Sequence, residues 1–126
     1  MQHTDILIID DEIKFADMLA KRIELRGRSN AVCYDGRSAL EWVKTHAHGI
    51  TLILLDLRLP DLYGTEVLVG IKEINPAIPV IILTGHGTEK DRLECERLGA
   101  YQFIHKPPKI DELMRIFEHI REKSEC

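Results

Sequence analysis

The chain has 126 residues, 44% of them hydrophobic, which is enough for one domain (residues 1–126) with a single apolar core. Its 17 Lys and Arg against 21 Asp and Glu give a net charge of −4, and without a dense basic run this balance does not support direct nucleic-acid binding. Because no apolar run approaches the roughly 18 residues of a membrane span, and the first residues lack a secretory signal pattern, we expect a soluble, cytoplasmic protein that does not bind membranes.

The first part of the chain alternates short β-rich apolar segments with longer segments of helical period. The segment "DILIID" precedes a helical pattern that stops at Gly27, and "SNAVCY" precedes one that stops at Gly49. Each pair is typical of a strand followed by a crossover helix. Cys33, in the second strand pattern, is expected to be a small core residue, since the cysteines are not spaced as a metal knuckle or a redox pair.

The second part of the chain continues this alternation. Because five of the six residues from Ile50 to Leu55 are apolar, "TLILLD" is typical of a strand buried on both faces, yet it ends on the carboxylate of Asp56. The segments "IPVIILT" and "AYQFIHK" end on Thr84 and Lys106, and each is followed by a helical pattern. Strand and helix alternating five times predict an α/β fold with a five-stranded parallel sheet and helices on both faces.

The fourth helical segment, between Gly87 and Gly99, differs from the others. In "TEKDRLECERL" the apolar residues are Leu93, Cys95 and Leu98, and most of the rest are charged. So narrow an apolar stripe predicts a weakly anchored helix that moves easily. The alternative is an ordinary solvated surface helix whose mobility has no role.

Four of the predicted strands end in polar side chains. They are Asp10 and Asp11 in the first, Asp56 in the third, Thr84 in the fourth and Lys106 in the fifth. Because ligands of open parallel sheets bind at the carboxyl ends of the strands, we expect these side chains to share one edge. The combination is far more specific than any one of these residues alone.

The chemistry of these side chains indicates a cation and a phosphoryl group. Two carboxylates 4 Å apart repel by about 4 kcal/mol at an effective dielectric constant of about 20, so a cluster needs a raised pKa or a cation. Oxygen ligands without His or Cys favour Mg²⁺. An ammonium and a hydroxyl beside that ion suit phosphoryl oxygens, with Asp56 as the nucleophile.

At these positions the sequence resembles the receiver domains of two-component response regulators. The motifs are "ILIIDDE", "LLDLRLPDLYG", "IILTGHG" and "FIHKP", and in this order and spacing they span essentially the whole chain. The resemblance implies a flavodoxin-like, doubly wound (βα)5 fold with strand order 2-1-3-4-5. It also implies a signalling phosphoacceptor domain, not an enzyme in the usual sense.

The resemblance implies a metal site and a phosphoacceptor. Asp10 and Asp11 would bind Mg²⁺ together with Asp56 and the backbone carbonyl of Arg58. Asp56 would take the phosphoryl group from a sensor histidine kinase or a histidine phosphotransfer protein. Lys106 would pair with the phosphoryl oxygens.

The resemblance also implies a switch. Thr84 would move to hydrogen-bond the phosphoryl group, and Phe103 would exchange between outward and inward positions through packing alone, or else be a static core aromatic. The fourth helix, fifth strand and fifth helix would form the output face, with a phosphorylation-dependent homodimer as one outcome. The Lys106–Pro107 peptide bond matches one that is often cis in the family.

Two further positions match places that tune the lifetime of the phosphate in this family. Arg58 could cover the phosphoryl group, and His86 could orient a water molecule. The alternative is that both side chains point into solvent and have no effect.

Other readings of the same residues stay open. A haloacid dehalogenase-type phosphatase also attacks phosphate with an aspartate, but its second aspartate would stand where this chain has Arg58. A flavodoxin-like cofactor domain would have a Ser-, Thr- and Gly-rich phosphate loop after the first strand. A pseudo-receiver docking module would lack some of the five polar positions. The chain could act as a stand-alone phosphorelay module or be part of a longer protein.

Overall fold

A computed structural model describes residues 3–124, in which five strands alternate with five helices. The strands are β1 (Thr4–Ile9), β2 (Asn30–Cys33), β3 (Ile50–Leu55), β4 (Val80–Thr84) and β5 (Gln102–His105). The helices are α1 (Ile13–Leu25), α2 (Gly36–His46), α3 (Gly64–Ile74), α4 (Glu89–Arg97) and α5 (Ile110–Ser124).

The strands form one parallel sheet in the order β2-β1-β3-β4-β5, as predicted. Alternate residues of each central strand enter different apolar clusters, because successive side chains point to opposite faces of a sheet. Leu7, Ile53 and Ile82 pack on the face covered by α2 and α3, whereas Ile8, Leu54 and Leu83 pack on the face covered by α1 and α5. The helices therefore cover both faces of the sheet, as expected.

The central strand β3 is nearly continuous in its burial. Five of its six residues are buried and Thr51 is partly exposed, which agrees with the predicted strand that is buried on both faces. Cys33 is buried at the end of β2, as expected for a small core residue. Within residues 3–124, no helix combines the length and the hydrophobicity that crossing a bilayer requires.

Helix α4 has an even narrower apolar face than its sequence indicates. Among its residues, all of which the structure describes, Cys95 is the one that is buried. Leu93 is 54% exposed, so the prediction that it belongs to an anchoring stripe is wrong. Leu93 and Cys95 are two residues apart, or about 200° around a helix, and therefore cannot face the same core.

Local interactions support α4 instead. Thr88 and Asp91 form a reciprocal capping box at its N-terminus. Arg92 pairs with Glu89 and Glu96 on the exposed surface. Exposed pairs of this kind contribute only a few tenths of a kcal/mol each. Since tertiary burial is slight, easy movement of α4 stays a prediction that the packing supports.

Candidate functional site

The backbone of the sheet holds three of the predicted side chains at one edge. Asp10, Asp56 and Lys106 each lie one residue beyond the strand that was expected to end with them. Their backbone N–H groups still donate across the sheet: Asp10 to the carbonyl of Cys33 at 3.0 Å, Asp56 to Ile9 at 2.9 Å and Lys106 to Thr84 at 3.0 Å. The backbone of these three residues therefore continues the hydrogen bonding of the sheet beyond the ends of the strands.

Three carboxylates meet at this edge, as the sequence predicts. Asp10 and Asp56 are each only 2% exposed, whereas Asp11 is exposed. One carboxylate oxygen from each of the three lies within 4.8 Å of the others. Burial, together with the charge of Asp56, raises the pKa of Asp10, although hydrogen bonds from Lys106 and the Glu12 backbone oppose this shift.

Lys106 neutralises part of this negative charge. Its Nζ lies 2.8 Å from Asp10 Oδ2 and 3.1 Å from Asp56 Oδ2, and it also pairs with the carboxylate of Glu12. Burial on its own would lower the pKa of Lys106, but the hydrogen bonds to Asp10 and Glu12 outweigh it and the pKa is raised. The ammonium also lies 4.4 Å from the ring centroid of Phe15, a cation–π distance.

Glu12 was not predicted as a site residue. Glu12 directly follows the two aspartates of the first motif and is the fourth acid at this edge, after Asp10, Asp11 and Asp56. Its contact with Lys106 joins residues 94 positions apart, so the sequence did not indicate that these two residues pair. The run of three acids was the signal available in the sequence.

The second oxygen of Asp56 has an unusual environment. Asp56 Oδ1 is buried and has no hydrogen-bond partner among residues 3–124. A buried acceptor without a partner is unfavourable by about 1–3 kcal/mol, so an oxygen of this kind is well suited to a ligand. Together with the all-oxygen donor set of Asp10 and Asp11, this fits a hard cation such as Mg²⁺.

The start of α3 presses against the backbone of Asp56. A Cβ on Gly64 would lie 2.6 Å from Leu57 Cα and 2.7 Å from the Asp56 carbonyl oxygen. The Gly64 N–H donates to the Leu57 carbonyl at 2.7 Å. Only glycine fits this close approach, which holds the start of α3 against the backbone of Asp56 and Leu57.

The loop between Leu57 and Gly64 is also tied to α2. Asp61 accepts hydrogen bonds from the N–H groups of Gly36 at 2.8 Å and Arg37 at 2.9 Å, the first residues of that helix. Although burial opposes them, these N–H groups lower the pKa of Asp61. The loop is therefore closed at its base by the Gly64–Leu57 hydrogen bond and held in its middle by Asp61.

Arg58 lies in this loop, where it forms an isolated antiparallel bridge with Tyr63. Its side chain is exposed. Its positive charge adds to the hydrogen bonds from Thr88 that lower the pKa of Asp91, so the guanidinium lies near the start of α4. A role of its carbonyl in metal binding, or of its side chain in phosphate lifetime, stays a prediction.

Thr84 and Phe103 meet at the loop between β4 and α4. Thr84 is fully buried, and its Oγ1 accepts a hydrogen bond from the His86 N–H at 3.3 Å, whereas the His86 side chain is exposed. A Cβ on Gly87 would lie 2.3 Å from Phe103 Cζ and 2.9 Å from Thr84 Cγ2. The partly buried Phe103 ring therefore packs against the same loop residue as Thr84.

His105 adds a second contact between β5 and this loop. Its ring makes an edge contact with Phe103, with centroids 5.4 Å apart, and its Nε2 lies 3.3 Å from the Gly87 carbonyl oxygen. The Lys106–Pro107 peptide bond is cis, as expected. The two side chains of β5 next to Gly87, those of His105 and Phe103, thus lie one and three residues before Lys106.

Comparisons with known proteins point in one direction. A family model of the response regulator receiver domain matches residues 6–118. The transcriptional regulatory protein ZraR of Escherichia coli (strain K12) is 34% identical over 114 residues, which are 90% of this chain and 25% of ZraR. The chain thus spans about a quarter of the length of that curated relative.

Solved structures agree with the family match. The receiver domain of NtrX from Brucella abortus has a TM-score of 0.82 at 34% identity and covers 94% of this chain and 98% of its own. The CheX-CheY-BeF3-Mg+2 complex from Borrelia burgdorferi has a TM-score of 0.81 at 26% identity and covers 89% of this chain and 84% of its own. The range matched by the family model, residues 6–118, includes Asp10, Asp56 and Lys106.

Proposed function

The chain belongs to the family of response regulator receiver domains, and from this membership we propose that it accepts a phosphoryl group on Asp56 in two-component signalling. The observation that carries the proposal is the convergence of Asp10 and Asp56 on Lys106. One carboxylate oxygen of each aspartate lies within 3.1 Å of the Lys106 ammonium nitrogen. A buried carboxylate beside an ammonium supports the assignment of Asp56 as the nucleophile.

In the proposed reaction, the Asp56 carboxylate attacks the phosphorus of a phosphohistidine on a sensor histidine kinase or histidine phosphotransfer protein. An O–P bond forms as the P–N bond breaks, and the partner's histidine is the leaving group. Lys106 stabilises the phosphoryl oxygens with its ammonium, and the Thr84 hydroxyl donates to one of them. The rigid backbone of β3 presents Asp56 at a fixed position, which favours in-line attack.

Asp10, Asp11 and Asp56, together with the Arg58 carbonyl, are the groups that would hold Mg²⁺. The ion would supply positive charge that offsets the repulsion among the carboxylates and between them and the phosphoryl group. The unpaired Oδ1 of Asp56 and the all-oxygen donor set support this assignment. The BeF3- and Mg-containing complex of the Borrelia relative supports it as well.

Arg58, two residues after Asp56, argues against a phosphatase. A haloacid dehalogenase-type enzyme needs a second carboxylate as acid and base two residues after its nucleophile, and here that residue is Arg58. The acids after β1 likewise disfavour a flavodoxin-like phosphate loop. Apart from autodephosphorylation and self-phosphorylation from phosphodonors, we therefore propose no catalytic activity.

Phosphorylation would be transmitted through Thr84 to α4, β5 and α5. The packing of Phe103 against Gly87, next to Thr84, supports this route. A groove of about 370 Å³ between α4 and β5 is a suitable partner surface, which could serve a phosphorylation-dependent homodimer. It is lined by Arg92, Glu96, Ala100, Tyr101, Gln102 and Phe103.

The proposal is tested by incubating the protein with acetyl phosphate and Mg²⁺ and measuring its intact mass. Wild type should gain one phosphoryl group, and Asp56→Asn should gain none. Asp111→Asn, which removes an exposed carboxylate at the start of α5, is the matched control and should react like wild type. An adduct of equal yield on Asp56→Asn would refute the proposal.

A further inference from the structure

The ammonium of Lys106 has its three N–H donors matched by three carboxylates within residues 3–124. These carboxylates belong to Asp10, Glu12 and Asp56. A lysine ammonium has three donors and no acceptor, so this set uses its full capacity. Any new partner must therefore displace one of the three.

The three partners of Lys106 are of two kinds. Asp10 and Asp56 belong to the cluster whose oxygens lie within 4.8 Å of one another and fit a cation, whereas Glu12 does not. Lys106 contacts Oδ2 of both aspartates, and a divalent cation bound to the same two carboxylates would repel the ammonium and weaken these contacts. The contacts of the ammonium outside the cluster are the Glu12 carboxylate and the face of the Phe15 ring, 4.4 Å away.

Glu12 is well placed for this task. It is the N-cap residue of α1, yet its side chain makes no capping hydrogen bond to the described residues of that helix. Its backbone N–H donates to Asp10 Oδ1 at 2.9 Å, and its carbonyl accepts from Ala16 at 2.9 Å. Hydrogen bonds thus hold both the N–H and the carbonyl of Glu12, and its side-chain carboxylate pairs with Lys106.

We propose that Glu12 is a positioning residue that keeps the Lys106 ammonium at the site once the metal has taken Asp10 and Asp56. This inference rests on the proposed function, because it assumes that the carboxylate cluster binds Mg²⁺. Without Glu12, the long lysine side chain would leave the site in the metal-bound state. With Glu12, the ammonium stays beside the position of the incoming phosphoryl group.

The test is the rate at which Lys106 is acylated by an amine-reactive ester, followed by peptide mass spectrometry with and without saturating Mg²⁺. In the absence of Mg²⁺, Glu12→Gln should change the rate less than about twofold, because Asp10 and Asp56 still hold the amine. With Mg²⁺, the rate in Glu12→Gln should exceed that of wild type by about tenfold, the factor expected when one charge-assisted hydrogen bond is lost.

The chain offers a matched control in an exposed pair of the same kind. Lys44 Nζ lies 3.3 Å from Glu41 Oε1 on α2, away from the site. Glu41→Gln should leave the Lys106 rate unchanged, and the Lys44 rate in every variant should not depend on Mg²⁺. A general loosening of the structure would instead raise both rates together.

Equal Lys106 rates in Glu12→Gln and wild type at saturating Mg²⁺ would overturn the inference. So would an increase of the same size with and without Mg²⁺. The phosphoryl adduct on wild type, measured in the same preparations with acetyl phosphate, reports separately on the proposed function. An adduct with unchanged Lys106 rates refutes the role of Glu12 alone, whereas loss of the adduct refutes the phosphoacceptor role itself.

Discussion

The Nζ of Lys106 lies 3.1 Å from Oδ2 of Asp56, although the two residues follow strands that are separated by β4 in the sheet. The lysine side chain reaches across the end of β4 and is itself only 10% exposed. This contact joins the end of β5 to the end of β3. It makes the charge of the lysine part of the same site as the buried carboxylates.

Removal of this charge should destabilise the protein in a way that magnesium repairs. In Lys106→Met, Asp10 and Asp56 lose their shared cation, and the loss of a partner from a buried pair is unfavourable by about 3–5 kcal/mol. Because binding to the folded state stabilises it, Mg²⁺ should raise the melting temperature of Lys106→Met more than that of wild type.

Thermal unfolding of both proteins across a Mg²⁺ titration checks this prediction. Lys44→Met, which removes an exposed lysine of α2, should respond to Mg²⁺ like wild type. If Mg²⁺ shifted the Lys106→Met and wild-type curves equally, the carboxylate cluster would not be the site of binding.

A methyl group at Gly64 should disturb the site through the backbone. Its Cβ would lie 2.6 Å from Leu57 Cα, an atom that cannot move aside as a side chain can. Gly64→Ala should lower the free energy of unfolding by about 1–3 kcal/mol, as overpacking does, and should slow phosphorylation of Asp56.

Urea denaturation and the rate of adduct formation measure these two effects. Gly85→Ala is the steric control, since its Cβ would meet only Lys106 Cδ, at 3.9 Å. A Gly64→Ala protein as stable as Gly85→Ala would contradict the close approach of α3 to Asp56.

The packing of Phe103 on Gly87 predicts coupling between two substitutions. Gly87→Ala places a Cβ 2.3 Å from Phe103 Cζ, so the ring must shift and the protein should be destabilised by about 1–3 kcal/mol. In a Phe103→Leu background the colliding ring atoms are gone, and the effect of Gly87→Ala should be smaller. The remaining contact with Thr84 Cγ2, at 2.9 Å, keeps part of the effect.

A double-mutant cycle of unfolding free energies measures this coupling, which should fall in the range of about 0.5–3 kcal/mol for residues in contact. Additive effects would mean that Phe103 does not occupy the space above Gly87. The pair would then give no packing route from Thr84 to β5.

Two buried thiols predict a loss of stability at alkaline pH. Burial raises the pKa of Cys33 from 9.0 to about 11, with the charge of Asp35 adding to it, and burial likewise raises the pKa of Cys95 from 9.0 to about 11. The unfolded chain therefore releases these protons first as pH rises above 9. Stability should fall between pH 9 and pH 11, by on the order of 2 kcal/mol per thiol.

The matched control for this prediction is a Cys33→Ala, Cys95→Ala variant, which lacks both thiols. Its unfolding free energy will be lower at pH 8, but its decline from pH 9 to pH 11 should be shallower than that of wild type. Parallel declines would show that other groups cause the pH dependence.

Much of the fold could be predicted because the central strands carry contiguous apolar runs and the helices other than α4 carry periodic ones. The site positions could be predicted as well, since Asp10, Asp56 and Lys106 directly follow their strands and the carboxyl ends of parallel strands share one edge. Strand ends were placed one residue too far along because the backbone hydrogen bonds continue beyond Ile9 and Leu55. The convergence of these residues could thus be predicted from local pattern together with topology.

Other features depend on three-dimensional packing that no local pattern contains. The pairing of Glu12 with Lys106 requires both side-chain conformations. The close approaches at Gly64 and Gly87 depend on the paths of two loops. Leu93 is an exception, because helical geometry alone places it opposite Cys95, so its exposure follows from the sequence once the angle between the two is considered.

The central claim is that Asp56 receives a phosphoryl group with the help of a metal held by its acidic neighbours. Its most direct test is peptide mapping by mass spectrometry of the protein after acetyl phosphate treatment, with Mg²⁺ and with Mg²⁺ removed by EDTA. We expect a phosphoryl group on the peptide that contains Asp56 in Mg²⁺ and none in EDTA. A phosphoryl group on a different peptide, or the same yield at Asp56 in EDTA, would contradict this account.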